Sequence, residues 1–263
     1  MSDGITLYDG TIRLSFDPGK HAYTVRTAGI NAVWSEPKSV PSITTILKVI
    51  GKGDALVQWA ANCSADYVRS ELVPGKPLDE IEIERIANES RFAFRRASKE
   101  ACDIGMLVHS WVESYLLFLA SQGDLQPLPE NVEARCACEA AIEWIESHKY
   151  RPRLIETRLY SRKYGYAGTA DAQGMVASIN GKPCIVDWKT SKAIYPEYRL
   201  QTAAYAQAIS EMTGRRIRER WIVRIGKDGS LQDLRLPEST FKDDLEAFLA
   251  AKKIYERLEA LKG

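Results

Sequence analysis

No run of apolar residues in this chain approaches the length of a membrane-spanning helix, so no transmembrane segment and no membrane partner are expected. The start, Met1-Ser2-Asp3-Gly4, has neither a basic n-region nor an apolar h-region and is not an Arg-rich transit peptide, which places the expected protein in the cytoplasm. Cysteine is sparse: five residues, at 63, 102, 136, 138 and 184, an odd number without a secretion signal, so free thiols are the expectation. Cys136-Ala137-Cys138 is too tightly spaced for a C-x-x-C clip and lies in a helical pattern, which argues against zinc. No G-x-x-x-x-G-K-[ST] phosphate loop occurs, so any helicase motor would be a separate chain. A net charge of +1 gives no overall signature of a nucleic-acid binder.

What is present reads as an ordinary globular chain. Apolar content of 45% and charged content of 27% are typical, and 263 residues suffice for a sizeable core. Basic residues cluster three times: Arg91, Arg95, Arg96 and Lys99; then Arg151, Arg153, Arg158, Arg162 and Lys163; then Arg215, Arg216, Arg218 and Arg220. A charge run usually marks a solvated face. The second cluster is the candidate for phosphate contact, because it leads directly to Asp171.

Residues 5 to 34 alternate apolar and polar positions around Asp17-Pro18-Gly19, predicting a small antiparallel element. Ser42 is a candidate cap for a short helix ending near Gly51, and Asp54 for the next, to about Val73. Pro74-Gly75-Lys76-Pro77 breaks the pattern, and residues 79 to 121 read as one long or interrupted helix. After a loop at 122 to 131 comes a helix to about Lys149. Strands at 153 to 161, 166 to 178 with a bend, and 183 to 189 follow, then a helix at 196 to 213, strands at 217 to 225 and 231 to 236, and a closing helix from about Thr240 to Leu261.

Chemistry concentrates at Ile185-Val186-Asp187-Trp188-Lys189. A strand repeats every two residues, so Asp187 and Lys189 share one face while Cys184, Val186 and Trp188 fill the other. Oxygen ligands such as Asp171 and Asp187 suit Mg2+ or Mn2+, which can polarise a phosphoryl group and lower the pKa of a bound water. A lysine alongside can orient that water and stabilise negative charge on phosphorus oxygens. By itself Asp187-Trp188-Lys189 is better read as a strand end emerging into water; a second Asp upstream in Gly168-Thr169-Ala170-Asp171 and a helix bearing Gln201 and Tyr205 on one face reverse this and favour a site. Gly168 is either a turn glycine or a gap that lets backbone or substrate approach near Asp171.

These pieces, with Gly105-Met106-Leu107-Val108-His109 continuing to Glu113, then Glu156, resemble the PD-(D/E)XK nuclease superfamily in its RecB-like exonuclease branch, which includes phage exonucleases and the mitochondrial genome maintenance exonuclease. Residues 100 to 225 carry the likeness, and Pro41 to Leu47 with Leu56 to Ala60 resemble phage members. The resemblance implies an α/β fold: a restriction-endonuclease-like core, with a mixed central sheet flanked by helices and a helical N-terminal embellishment. It implies one nuclease domain over 1–263, with a β element and helical subregion at 1–100 and the catalytic core at 101–263.

The same resemblance makes Asp171, Asp187, His109 and the Trp188 carbonyl metal ligands and Lys189 the catalytic lysine. Gln201 and Tyr205 match the Q-x-x-x-Y motif beside the site, and Glu113 and Glu156 are second-layer or DNA-proximal candidates. His109 and Glu113 are also an i, i+4 pair that local hydrogen bonding would explain. Some relatives hold an iron-sulfur cluster through cysteines near the C-terminus; none follows Cys184, so no cluster is expected.

The function implied is a Mg2+- or Mn2+-dependent DNA exonuclease preferring single strands or ends. Its setting would be phage-type replication or recombination, alongside proteins of those processes. A flap or branch endonuclease would use the same centre, and a DNA-binding or recombination-partner module that has lost cleavage is the alternative from another class. Added N-terminal helices can restrict a groove to one strand, and aromatic platforms would help. Trp59, Tyr67, Phe92, Phe94 and Trp111 are candidates, although most helical aromatics are core.

Overall fold

A computed structural model describes residues 4–29, 33–51 and 53–262; the segment 1–3, read above for a leader, lies outside the described residues. The chain divides into two compact units, Met1–Ile50 with Val108–Gly263, and Gly51–Leu107.

The first unit opens with an antiparallel meander, β1 (Ile5–Leu7), β2 (Ile12–Asp17), β3 (Ala22–Thr27) and β4 (Lys38–Val40). Alternation puts Ile12, Leu14, Tyr23 and Val25 inward while Arg13 faces out. The Asp17 carboxylate accepts from the amides of Gly19 and Lys20, closing the β2–β3 turn. The sequence pattern stopped at residue 34, and the fourth strand, only three residues long, was too short to register as alternation.

The larger sheet has the order β5 (Arg151–Ser161), β6 (Tyr166–Met175), β7 (Pro183–Lys189), β8 (Glu219–Ile225), β9 (Leu231–Leu236). Neighbours are antiparallel except β7 and β8, whose parallel pairing requires a crossover supplied by α6 (Glu197–Thr213). The element order of helix, three strands, helix, strand is therefore present, in an α/β fold whose mixed sheet is flanked by helices.

One face of that sheet packs against α6, α7 (Phe241–Ala260) and α1 (Ile43–Leu47), through Ile43, Ile46, Ile185, Ile209 and Phe248. The Ser42 hydroxyl caps α1 by accepting the Thr45 amide at 3.0 Å. On the other face α5 (Val132–Ser147) brings the fully buried Trp144 edge-on to Trp188, with centroids 5.3 Å apart.

The second unit comprises α2 (Gly53–Glu71), α3 (Glu80–Ser90) and the part of α4 (Ala93–Leu119) up to Leu107. The segment read as long or interrupted is interrupted, at Arg91–Phe92. Asp79 and Glu82 form a reciprocal capping box that starts α3. The helix α2 begins at Gly53, and the side chain of Asp54, the candidate cap, lies outside the described residues. Ser64 Oγ donates to the Ser90 carbonyl and Arg85 pairs with Glu71, tying α2 to the α3 region.

Candidate metal centre

Strand β7 carries the central pair. Asp187 is fully buried, and Lys189 Nζ stands 2.7 Å from its Oδ2. Apart from this ion pair, neither Asp187 oxygen has a hydrogen-bond partner among the described residues. Ile185, two residues earlier, packs on the α6 side, while Trp188 points to α5 as the strand period requires.

Asp171 on β6 joins this strand through the Trp188 backbone, whose amide donates to Asp171 Oδ2 at 2.8 Å. The same oxygen is 3.6 Å from His109 Nδ1, delivered by the part of α4 that belongs to the first unit. Glu156 on β5 falls between the pairs Ile155↔Ala172 and Thr157↔Ala170, which sets it opposite Asp171. Its φ of +42° is left-handed, a conformation that costs a β-strand glutamate on the order of 1 kcal/mol or more. The kink has a consequence for packing. Leu154 and Leu159, an odd number of residues apart, both pack into the α6-side core, because the strand changes phase at Glu156.

Ligand atoms of His109, Glu156 and Asp171 all lie within 4.8 Å of one another. Asp187 lies outside that group, although its charge acts on Glu156. Glu156, given a supporting place by the sequence reading, thus sits among the candidate ligands. Glu113 is half-buried and contributes its charge to Glu156 but no atom to the cluster.

The electrostatics follow from crowding carboxylates in a dry place. Burial, then the charges of Asp171, Glu113 and Asp187, push the Glu156 carboxyl up to about 8. Burial, resisted by Lys189 and reinforced by Asp171, pushes Asp187 up to about 7. For Lys189 burial acts downward, yet the Asp187 and Asp171 charges overcome it and hold the ammonium above its ordinary value. The site has more negative charge than its one lysine neutralises.

Gln201 and Tyr205 are both buried on α6, with Gln201 Nε2 donating to the Tyr205 hydroxyl at 2.7 Å. Burial and the charges of Asp187 and Asp171 raise the Tyr205 phenol well above its usual value, so it stays protonated beside them. Gly168 serves close packing: a Cβ there would lie 3.1 Å from Ile43 Cδ1 and 3.3 Å from Tyr205 Cε1.

Tyr198 was missed. Lys189 Nζ sits 4.7 Å from its ring centroid, and Tyr195 packs edge-on to it at 5.6 Å. The signal was available, since Tyr198, Gln201 and Tyr205 stand at i, i+3 and i+7 on one helical face.

Other candidates went elsewhere. Trp111 is buried, donates its indole N–H to the Pro127 carbonyl at 2.9 Å and stacks on Tyr115, so it packs. In the second unit Arg95 lies over the rings of Phe92 and Phe94, and Arg96 over Tyr67. The third basic cluster is not one surface: Arg220 is fully buried and donates to Asp244, Thr240 and the Arg199 carbonyl.

No family model matches the chain, and no curated protein does. Among solved structures it is similar to a candidate exonuclease from Eubacterium rectale, at 19% identity over 60% of this chain and 67% of that one, with a TM-score of 0.38. It is also similar to an alkaline exonuclease from Laribacter hongkongensis, at 16% identity over 52% and 78% of the two chains and a TM-score of 0.28. The complex of that alkaline exonuclease with dAMP aligns at 15% identity over 77% and 96%, with a TM-score of 0.29. At such identities and scores, the site's own geometry is what bears on function.

Proposed function

We propose that this protein is a divalent-metal-dependent DNA exonuclease of the PD-(D/E)XK type, acting on single strands or ends. The observation that carries the reading is the convergence of His109, Glu156 and Asp171 beside the buried Asp187–Lys189 pair. The residues fit a hard dication: carboxylate oxygens in excess of cations, one imidazole, and a buried Asp187 carboxylate whose one partner among the described residues is Lys189. The imidazole leans the preference from Mg2+ towards Mn2+.

In this reading His109, Asp171 and Asp187 hold the ion, as the sequence suggested, and Glu156 joins them. The Trp188 amide fixes the Asp171 carboxylate, and the carbonyl of the same residue remains a proposed ligand. When bound, the ion would lower the pKa of a water and polarise the phosphoryl group. Lys189 would orient that water and stabilise charge on the phosphorus oxygens, its own position fixed by Asp187 and the Tyr198 ring. Tyr205 would seat α6 against β6 over Gly168, its hydroxyl held by Gln201.

The test is degradation of end-labelled single-stranded DNA with Mn2+ or Mg2+. Asp187→Ala and Lys189→Ala should each abolish it while the protein stays folded; persistence of activity in both removes the mechanism. A closed circular single strand should resist cleavage, and cutting of the circle would identify an endonuclease.

A further inference from the structure

Away from the metal centre, a cavity of about 480 Å³ opens at the other end of β5, β6 and β7, lined among others by Arg153, Leu154, Gln173, Met175, Arg215 and Ile217. The second and third basic clusters, some sixty residues apart in sequence, meet here through one arginine each.

Two backbone devices deliver them. Arg153 is the extra residue of a β-bulge: Pro152 pairs with Gly174 and Leu154 with Gln173, leaving Arg153 without a partner in the register. Opposite the bulge only glycine fits, since a Cβ on Gly174 would lie 2.3 Å from the Arg151 carbonyl oxygen and 2.7 Å from the Tyr150 ring. Arg215 follows Gly214, whose left-handed conformation (φ +66°) ends α6 and turns the chain.

Neighbouring basic residues are engaged. Arg216 pairs with Glu238, Arg218 lies over the Phe241 ring, and Arg220 is bound to Asp244. The guanidiniums of Arg153 and Arg215 have neither a carboxylate nor a hydrogen-bond partner among the described residues, although they flank one concavity floored by Leu154, Met175 and Ile217. Two unpaired guanidiniums on one partly apolar cavity, each a planar fork of N–H donors, make a site that an oxyanion would complete.

We infer that this cavity binds a phosphate group. Resting on the exonuclease reading, that group is an internucleotide phosphate of the bound strand, held away from the bond being cut. Arg153 is three residues from Glu156 along the edge strand β5, roughly 10 Å at ~3.3 Å per residue. A dinucleotide seated at the metal centre would not span this, whereas a decanucleotide would.

Fluorescence anisotropy in EDTA, where no hydrolysis occurs, compares a labelled dinucleotide and decanucleotide on wild type and on Arg153→Gln/Arg215→Gln. The double variant should lose at least fivefold in decanucleotide affinity and none for the dinucleotide, with the log K against log salt slope shallower by about 0.7 for each phosphate that is no longer neutralised. Arg153→Lys/Arg215→Lys, which keeps charge without the fork, should fall between. A second arm measures thermal stabilisation by inorganic phosphate. If phosphate stabilises wild type but not the glutamine variant while decanucleotide binding is equal in both, the site stands and its ligand is a free phosphate. A wild type that degrades no DNA with Mn2+ or Mg2+ yet shows that phosphate difference removes the exonuclease reading and keeps the site. Equal behaviour of wild type and glutamine variant in both arms, with melts confirming that each is folded, overturns the inference.

Discussion

Asp171 holds strand β7 by its backbone, its Oδ2 accepting the Trp188 amide at 2.8 Å while the same oxygen faces His109 at 3.6 Å. One carboxylate therefore serves both the fold and the centre, and two substitutions separate those duties. Asp171→Asn keeps an oxygen for the amide; Asp171→Ala orphans it, at about 1–3 kcal/mol for an unsatisfied buried donor. Both variants should lose at least tenfold in Mn2+ affinity by calorimetry, and only the alanine variant should unfold at lower denaturant. Equal stability of the two would mean that the amide bond contributes nothing.

The raised carboxyls make the metal-free protein less stable in base. Glu156 is pushed up from 4.5 to about 8, so between those values the folded state holds a proton that the unfolded chain has released. Stability from this group is present below about pH 4.5 and declines as pH rises towards 8; Asp187, raised to about 7, acts in the same direction. Glu156→Gln cannot ionise and should flatten the decline, raising Tm in EDTA at pH 8 by about 5 °C, on the order of 2 kcal/mol, with little change at pH 4.5. A parallel pH dependence of Tm in variant and wild type would remove Glu156 as its source.

Tyr198 confines the lysine by its ring face, 4.7 Å from Nζ, not by its hydroxyl. Replacing the ring by Leu should lower kcat by about fivefold to thirtyfold, the range for 1–2 kcal/mol of a desolvated cation–π contact, whereas Tyr198→Phe should stay within twofold. KM should change little in either. If Phe is as impaired as Leu, the hydroxyl is the functional part and the ring account fails.

The order of elements was legible because each carried its own local signal: alternation in β2 and β3, the Pro74-Gly75-Lys76-Pro77 break, the apolar run into Asp187. Type and spacing put Asp187 with Lys189 on one strand face and Gln201 with Tyr205 on one helical turn, whereas His109 entered only through the resemblance. What escaped depends on the third dimension. Nothing local marks Glu156, opposite Asp171 and between the core residues Leu154 and Leu159, as left-handed. Arg220, on β8, read as part of a basic cluster because its partner Asp244 is 24 residues away on α7. Trp111, a candidate platform for which packing was the favoured reading, packs, and the Pro127 carbonyl that receives its N–H lies beyond the end of its helix.

That buried arginine leads to a stability prediction with a consequence for the site. Arg220 has no exposed surface and donates to Asp244 Oδ2 and Thr240 Oγ1, both at 2.8 Å, and to the Arg199 carbonyl at 3.0 Å, in the first turn of α6 beside Tyr198. Arg199 closes the network by donating to Asp244 Oδ1 at 3.2 Å. Asp244→Ala leaves a buried guanidinium without its counter-charge, which should cost about 3–5 kcal/mol by chemical denaturation. Replacing both partners, as Arg220→Met with Asp244→Leu, removes the uncompensated charge and should recover at least half of that loss. The recovered double variant still lacks the bond to the Arg199 carbonyl, so the start of α6 is less tightly held and kcat should remain below wild type. A double variant no more stable than Asp244→Ala would show that packing around Arg220, and not its charge, accounts for the loss.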